Sequence, residues 1–343
     1  AETARRRENK GTERGEWQMK RRQIYFAGLI LLLVLIIFGV SAGMLFVNME
    51  EEPNRVSVIV NDSNNDRWIA MRQGLEQAAN EENIQLNYVS TGVLTNEEEQ
   101  KALIDREVEN GAQGVILQLV SSVDPEQIFG QMDGSVAIML LESDVDPEGV
   151  YALTAPDNRK IGTSLAEAVI ADQDGSLSGV KIGVLSGSST LLSMQQRLSG
   201  VNDTLEDAGA ELAWCIYDST ESFSTELAAM QEDSPVDIIL SLGNRETETA
   251  VDYLQAGQEE EQPFRLYGEG CSEKAVYYLD KGVITALVVP NEFNMGYQSM
   301  RSIAKQLQYK LSSADSEQVD SLVVKKENLY DEENQKILFP IVQ

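Results

Sequence analysis

The chain has 343 residues, of which 27 are basic and 56 acidic, for a formal net charge of −29, with two cysteines and no histidine. A negative field of that size repels nucleic acid phosphates and anionic membrane surfaces, which argues against both as partners. Without histidine the chain lacks the commonest general base and the commonest transition-metal ligand, so no catalytic residue, metal or cofactor is expected.

The first element in chain order is an uncharged, mostly apolar run from Ile24 to Val47. At about 1.5 Å per residue, a helix of that length reaches roughly 36 Å and covers a hydrocarbon core of about 30 Å. Arg5, Arg6, Arg7, Lys10, Arg14, Lys20, Arg21 and Arg22 precede it, and Glu50, Glu51 and Glu52 follow. Because basic flanks are retained on the cytoplasmic side, residues 1–23 are predicted as a cytoplasmic tail and 24–47 as a single transmembrane helix. Residues 48–54 then form a linker to a domain outside the cell membrane. The competing reading is a cleaved signal peptide, whose apolar core is usually about 7 to 15 residues and ends at a small-residue site. Ser41-Ala42-Gly43 is a weak match to such a site.

Eight of the 27 basic and five of the 56 acidic side chains fall in the first 50 residues, so residues 51–343 hold 19 bases against 51 acids, near −32. Acids scattered over a surface keep a domain soluble, which is the simplest account of that charge. About 290 residues remain outside, enough for two domains of ordinary size.

From Val56 a β-rich apolar run, a polar turn and a helix-period stretch recur. Val56-Ser57-Val58-Ile59-Val60 reads as a strand, Trp68, Met71, Leu75 and Ala78 as one helix face, and Ile84, Leu86 and Tyr88 as an alternating strand. A helix over Leu103 to Val108, the strand Val115-Ile116-Leu117, a short helix near Gln127 and the strand Val136 to Leu141 follow. The cycle restarts with a helix from Lys160. Strands come next at Val180 to Leu185, Leu212 to Tyr217, Ile238 to Leu240, Phe264 to Tyr267 and Ile284 to Val289. Continuous apolar strands alternating with helices predict two α/β lobes, each a doubly wound parallel sheet covered on both faces. Such sheets bind ligands outside the carboxyl ends of their strands. Cys215 falls in one strand and Cys271 just past another, which favours two buried free thiols over one disulfide.

An ordered set of short motifs resembles the type 1 periplasmic sugar-binding proteins, whose lobes also serve as the ligand domains of lactose-repressor-like regulators. The set runs from Val58-Ile59-Val60 with Asn64-Asn65-Asp66-Arg67-Trp68, through Gly111-Ala112-Gln113-Gly114-Val115-Ile116-Leu117 and Asp157-Asn158 with Gly162, to Ile182-Gly183-Val184-Leu185-Ser186-Gly187. It continues with Arg197-Leu198-Ser199-Gly200, Val288-Val289-Pro290 before Met295-Gly296-Tyr297, and Leu322-Val323-Val324 before Lys326-Glu327-Asn328. The resemblance covers about residues 55 to 330. It implies a multi-strand hinge of three crossings, with lobe one as 55–155 plus 291–320 and lobe two as 156–290 plus 321–343. A DNA-reading member is ruled out, since the apolar run occupies the place of a helix-turn-helix.

Sugar sites need planar polar groups for paired hydroxyls and an aromatic face for the ring. By motif position the candidates are Asn65, Arg67 and Trp68 after the first strand, and Glu142 after the fourth. In lobe two they are Arg197, Phe223, Asn244 and Glu269, with Asn291 at the last crossing. Trp68 and Phe223 are equally compatible with core packing, and Gly243 competes with Asn244 for its place. Arg197 is the leading candidate, because its fork of donors suits two oxygens. The sequence departs from the family where Ser143 follows Glu142 in place of a base, where Glu269 stands for an aspartate, and where Pro290 replaces an amide.

The glycine-bearing stretch Gly183 to Ser189 lacks the Lys-Ser/Thr ending of a phosphate loop. Glu259-Glu260-Glu261 lacks calcium-loop spacing and reads as a solvated turn. The expected function is a membrane-tethered binder, not an enzyme, that closes on a sugar-like small molecule and passes it to an ABC permease. The alternative is a ligand-sensing partner of a membrane histidine kinase. Two other classes stay open: a glycoside-processing enzyme using Glu142 and Glu269 as a carboxylate pair, and an interaction protein with a decayed pocket.

Overall fold

The computed structural model describes residues 25–39, 41 and 53–339, apart from 131–133, 147–148, 174, 211, 219–222, 258–261 and 312. The predicted tail, much of the linker, the end of the apolar run and the Glu259-Glu260-Glu261 turn lie outside the described residues. The chain falls into two units, Ala1–Glu52 and Pro53–Gln343. In the first, residues 25–39 form helix α1 with its side chains exposed. Among the described residues no helix is long and apolar enough to cross a membrane.

The second unit holds two six-stranded sheets. In lobe one, β1 (Arg55–Ile59), β2 (Gln85–Tyr88), β3 (Gly114–Gln118), β4 (Ala137–Leu141), β5 (Ala152–Pro156) and β11 (Glu317–Val319) lie in the order β11-β5-β4-β3-β1-β2. Every pair in it is parallel. In lobe two, β6 (Ile182–Ser186), β7 (Leu212–Tyr217), β8 (Ile238–Ser241), β9 (Arg265–Glu269), β10 (Ile284–Pro290) and β12 (Ser321–Lys325) lie in the order β12-β10-β9-β8-β6-β7. There only β12 is antiparallel to its neighbour.

Lobe one carries α2 (Ile69–Glu81), α3 (Glu97–Glu109), α4 (Pro125–Phe129) and α10 (Glu292–Tyr309). Lobe two carries α5 (Asn158–Asp172), α6 (Leu192–Asp207), α7 (Phe223–Asp233), α8 (Asn244–Ala256), α9 (Glu273–Asp280) and α11 (Glu332–Leu338). Successive side chains of a strand point to opposite faces, and both faces here are covered. Thus Val115 and Leu117 join a cluster with Ile104 and Ile128, while Ile116 joins Met71, Leu75 and Ile303. Val184 and Leu185 divide in the same way between the two clusters of lobe two.

Three crossings join the lobes, between Pro156 and Asn158, Pro290 and Glu292, and Val319 and Ser321. In each lobe the helix entering from the hinge packs on the helix after the first strand, and paired glycines let the backbones touch. A Cβ on Gly162 would lie 1.8 Å from the Arg197 carbonyl oxygen, and one on Gly200 would lie 2.1 Å from that of Arg159. Gly74 and Gly296 are matched across α2 and α10, at 2.0 Å from the Phe293 oxygen and 2.1 Å from that of Met71. No other residue fits four such places without moving a helix.

Cys215 and Cys271 are unpaired, as the sequence suggested, but half-buried rather than buried. The sequence did not announce β5, β11 or α11.

Candidate ligand-binding site

In a sheet ordered 2-1-3-4-5 the chain reverses direction between the first and third strands, and ligands lodge at that point. Both lobes have this order and face each other there. Between them lies a cavity of about 310 Å³. Asn61 and Gln118 reach it from the ends of β1 and β3; Gly187 and Gly243 reach it from the ends of β6 and β8.

The lobe one wall is built on Arg67. Asn65 caps the 3-10 turn that carries it, its Oδ1 accepting from the Arg67 amide at 3.0 Å. The Arg67 guanidinium donates to Glu142 and lies 3.3 Å from Glu292 Oε1, and it stacks over the Trp68 ring at 4.0 Å. Glu142 holds φ +63 at the end of β4, a left-handed conformation uncommon for a side chain of this kind. That turn delivers its carboxylate to Arg67 and to the Gln118 amide.

The lobe two wall is built on Arg197, one of the largest fully buried side chains of the molecule. Its Nε donates to Asn158 Oδ1 at 2.9 Å, and its Nη1 to the Leu242 carbonyl at 2.7 Å. The same Nη1 lies 3.3 Å from Glu269 Oε2. Asn158 completes a link between the walls by donating to the Glu142 carbonyl oxygen at 2.8 Å.

The carboxyls respond unequally. Burial would raise Glu142, but Arg67 and Arg197 outweigh it and hold the group below the ordinary range. Burial raises Glu269 despite Arg197 and Arg67. It raises Glu292 to about 8, with Glu142 and Glu269 adding like-charge repulsion against the pull of Arg67. Glu246, in the first turn of α8, is raised to about 7 by burial, with Asp218 and Glu269 contributing.

The lobes are closed on each other. Helix α6 has no side-chain cap of its own at Leu191. Its first amides are instead met from lobe one: the Leu192 amide donates to Ser122 Oγ at 3.0 Å and the Ser193 amide to Ser143 Oγ at 3.1 Å. The Ser122 amide donates to the Thr190 carbonyl at 3.0 Å, and the Glu273 amide to Asp66 Oδ2 at 3.0 Å.

Of the residues chosen from sequence, Arg67, Glu142, Arg197 and Asn244 line the cavity. Asn244 spends its Oδ1 on the amides of Cys271 and Ser272, at 3.2 and 3.1 Å, and its Nδ2 on Glu248. Gly270 makes room for it at φ +141, where a Cβ would lie 2.4 Å from that oxygen. Glu269 stands off the wall and holds Arg197.

The structure places four other choices off the cavity wall. Asn65 is a helix cap. Trp68 packs in the lobe one core with its Nε1 donating to the Asn61 carbonyl, because its ring continues the apolar stripe of α2. Phe223 is buried among Ile216, Leu227 and Phe264 of lobe two. Asn291 caps α10 by accepting from the Asn294 amide at 2.9 Å. No described residue of the cavity wall is aromatic. The sequence reading missed Gln118, Glu246 and Glu292; the last two sit in the acidic first turns of helices, where an acid is ordinary.

Residues 56–311 match the family model of the periplasmic binding protein domain. The chain belongs to that family. It is a family of binding proteins, not of enzymes, and the two-lobed architecture described above is its type 1 fold. A D-ribose/D-allose-binding protein of Pseudomonas aeruginosa is 22% identical over 174 residues, 47% of this chain and 52% of that protein. The match thus spans about half the length of that curated relative. Among solved structures, a glucose-galactose binding protein, GanP, from Geobacillus stearothermophilus has a TM-score of 0.70 at 20% identity. That match covers 82% of this chain and all of GanP. A carbohydrate transporter solute binding protein from Agrobacterium radiobacter, in complex with D-arabinose, has a TM-score of 0.74 at 15% identity over 84% of this chain and 100% of its own.

Proposed function

We propose that this chain is an extracytoplasmic receptor, tethered to the membrane by its N-terminal apolar helix, that closes on one sugar-sized polar molecule and delivers it to an ABC permease. The observation that carries this reading is the polar cavity at the carboxyl ends of both sheets, held shut by hydrogen bonds from one lobe to the other. Its volume of about 310 Å³ lies at the low end of small-molecule sites, about 300 to 1,000 Å³. The sugars named for its relatives fall in the same chemical class.

Ligand binding here needs no bond-making group. Arg67 and Arg197 offer fixed donors to vicinal oxygens, Gln118 an amide, and Glu142 a carboxylate kept ionised to accept. A carboxylate pinned by two arginines is a poor general acid, which is why the glycosidase reading fails on Glu142.

The test is a thermal-shift screen of the 343-residue chain in mild detergent against monosaccharides and polyols. A ligand at about 100 times its dissociation constant adds roughly 2.7 kcal/mol of stability. Stabilisation by at least one member, lost in Arg197→Ala, is the expected result. A flat screen across a broad library would remove the reading and favour a decayed pocket.

Retention of the apolar run as a membrane tether would favour one second reading, a sensor that reports its ligand to a membrane histidine kinase. Deleting the chain distinguishes the two. Lost uptake of labelled ligand supports the permease, whereas intact uptake with lost ligand-dependent gene induction supports the kinase.

A further inference from the structure

Charge is out of balance around the cavity. Arg67 and Arg197 face four buried carboxylates, those of Glu142, Glu246, Glu269 and Glu292. Arg245 does not redress this, because its Nη1 is committed to Asp218 at 2.6 Å. Glu142, Glu269 and Glu292 each lie beside an arginine. Glu246 does not. Its residue is only 5% exposed and lines the cavity, yet among the described residues no side chain donates to its carboxylate. Its own backbone amide is the donor that reaches it.

The site is also shaped around that carboxylate. A Cβ on Gly243 would lie 2.2 Å from Glu246 Oε2, and one on Gly187 would lie 3.5 Å from its Oε1. At Gly243 the strand end therefore stays bare where the carboxylate enters the cavity, while 3.5 Å at Gly187 is an ordinary contact. A buried, unpaired carboxylate is costly, and it is relieved by a proton or by a cation. Among the described residues no three Asp, Glu or Cys side chains converge to hold a metal ion.

We propose that the cavity selects a small polyhydroxylated molecule bearing a protonated amine, an amino sugar or amino polyol, whose ammonium is received by Glu246. The inference rests on the sugar-receptor reading and narrows its ligand class. The hydroxyls would meet Gln118, Arg67 and Arg197, while the ammonium occupies the one carboxylate of the wall that lacks a cation. The missing aromatic platform fits the same chemistry, since orientation then comes from a charge-assisted hydrogen bond more than from ring stacking. The groups that face Glu246 are Asp218 at the end of β7, Glu269 at the end of β9 and Arg245 on its own helix. Two of those three are acids, and they too favour a cation.

The experiment is calorimetric titration of the 343-residue chain at pH 7. The titrants are glucosamine, galactosamine and 6-amino-6-deoxyglucose, each beside its neutral parent hexose, and the N-acetylated forms of the first two. An amine binding about tenfold or more tighter than both its parent and its uncharged acetamide is the expected result. In Glu246→Gln, which keeps shape and removes charge, that preference should fall to within about threefold. Neutral hexoses binding as tightly as the amines would overturn the inference while leaving the sugar reading intact. Binding by neither set would remove both. An amine preference that survives Glu246→Gln, in a variant whose unliganded melting matches the parent chain, would also overturn it by placing the ammonium elsewhere. The first comparison uses the unaltered chain and so does not depend on how the variant folds.

Discussion

The two lobes meet the cavity with the same three-part device, and they differ at one atom group. In lobe one, Arg67 follows the first strand and pairs with Glu142 from the end of β4 and with Glu292, the first residue of the helix entering from the hinge. In lobe two, Arg197 lies on the helix after the first strand and pairs with Glu269 from the end of β9 and with Asn158, again the first residue of the entering helix. A carboxylate thus stands in one lobe where an amide stands in the other. The amide satisfies its arginine and links the walls without adding charge. The carboxylate adds a second acid to one cation; burial raises Glu292 to about 8, and repulsion from Glu142 and Glu269 adds to it against the pull of Arg67.

The comparison can be broken most forcefully at the arginines. Removing one partner of a buried ion pair costs about 3 to 5 kcal/mol, because the remaining charge is left uncompensated. At pH 7 Glu292 largely holds a proton, so Arg67→Ala strands the Glu142 carboxylate and Arg197→Ala strands that of Glu269. Denaturant unfolding at pH 7 should therefore show both variants destabilised by that order and to a similar degree. A clearly larger loss in Arg67→Ala would mean that Glu292 is ionised beside Arg67 in the folded chain.

The second test exchanges the differing groups. The Glu292 carboxyl is raised from 4.5 to about 8 in the folded chain. Between those values the folded state holds a proton that the unfolded state has released, so stability falls as pH rises through that window. Glu292→Gln removes this dependence. Relative to the parent chain it should gain at least about 1 kcal/mol between pH 5 and pH 8, the worth of one pKa unit. Asn158→Asp should show the reverse, a new loss of stability with rising pH, since the new carboxylate would face the Glu142 carbonyl that Asn158 now donates to. Flat profiles in both variants would sever the link between the surplus acid and the lobe asymmetry.

How much of this was legible follows from burial. β3, β6, β8 and β10 are covered on both faces, so their apolar runs are continuous and mark parallel strands. β5 reads Ala-Leu-Thr-Ala-Pro and β11 reads Glu-Gln-Val, and neither has the β-branched content to announce itself. β5 becomes a strand by pairing with β4, and β11 by pairing with β5 at the hinge, which is tertiary information. At the site, strand ends are visible in sequence and located Glu142, Asn244 and Glu269. Trp68 and Phe223 were ambiguous because a helix stripe bounded by an aromatic looks alike from core and cleft. Glu246 and Glu292 were hidden for another reason. An acid in the first turn of a helix is ordinary, and only the packed structure shows these two to be buried.

The smallest effect sharpens the comparison from the side of closure. Helix α6 begins with amides that its own lobe leaves without a side-chain cap, and Ser122 and Ser143 cap them from the opposite lobe. Helix capping is worth about 0.5 to 2 kcal/mol, here available only when the lobes are shut. Ser122→Ala and Ser143→Ala should each shift the population toward an open form and weaken ligand binding by up to about tenfold, with unfolding stability nearly unchanged. Small-angle scattering of the unliganded chain would register the opening as a larger radius of gyration. Ser143 also shares a 3.0 Å hydroxyl contact with Ser122, so the double variant should fall short of the sum of the singles. Full additivity, or unchanged scattering, would mean that closure is set by the arginine and glutamate walls alone.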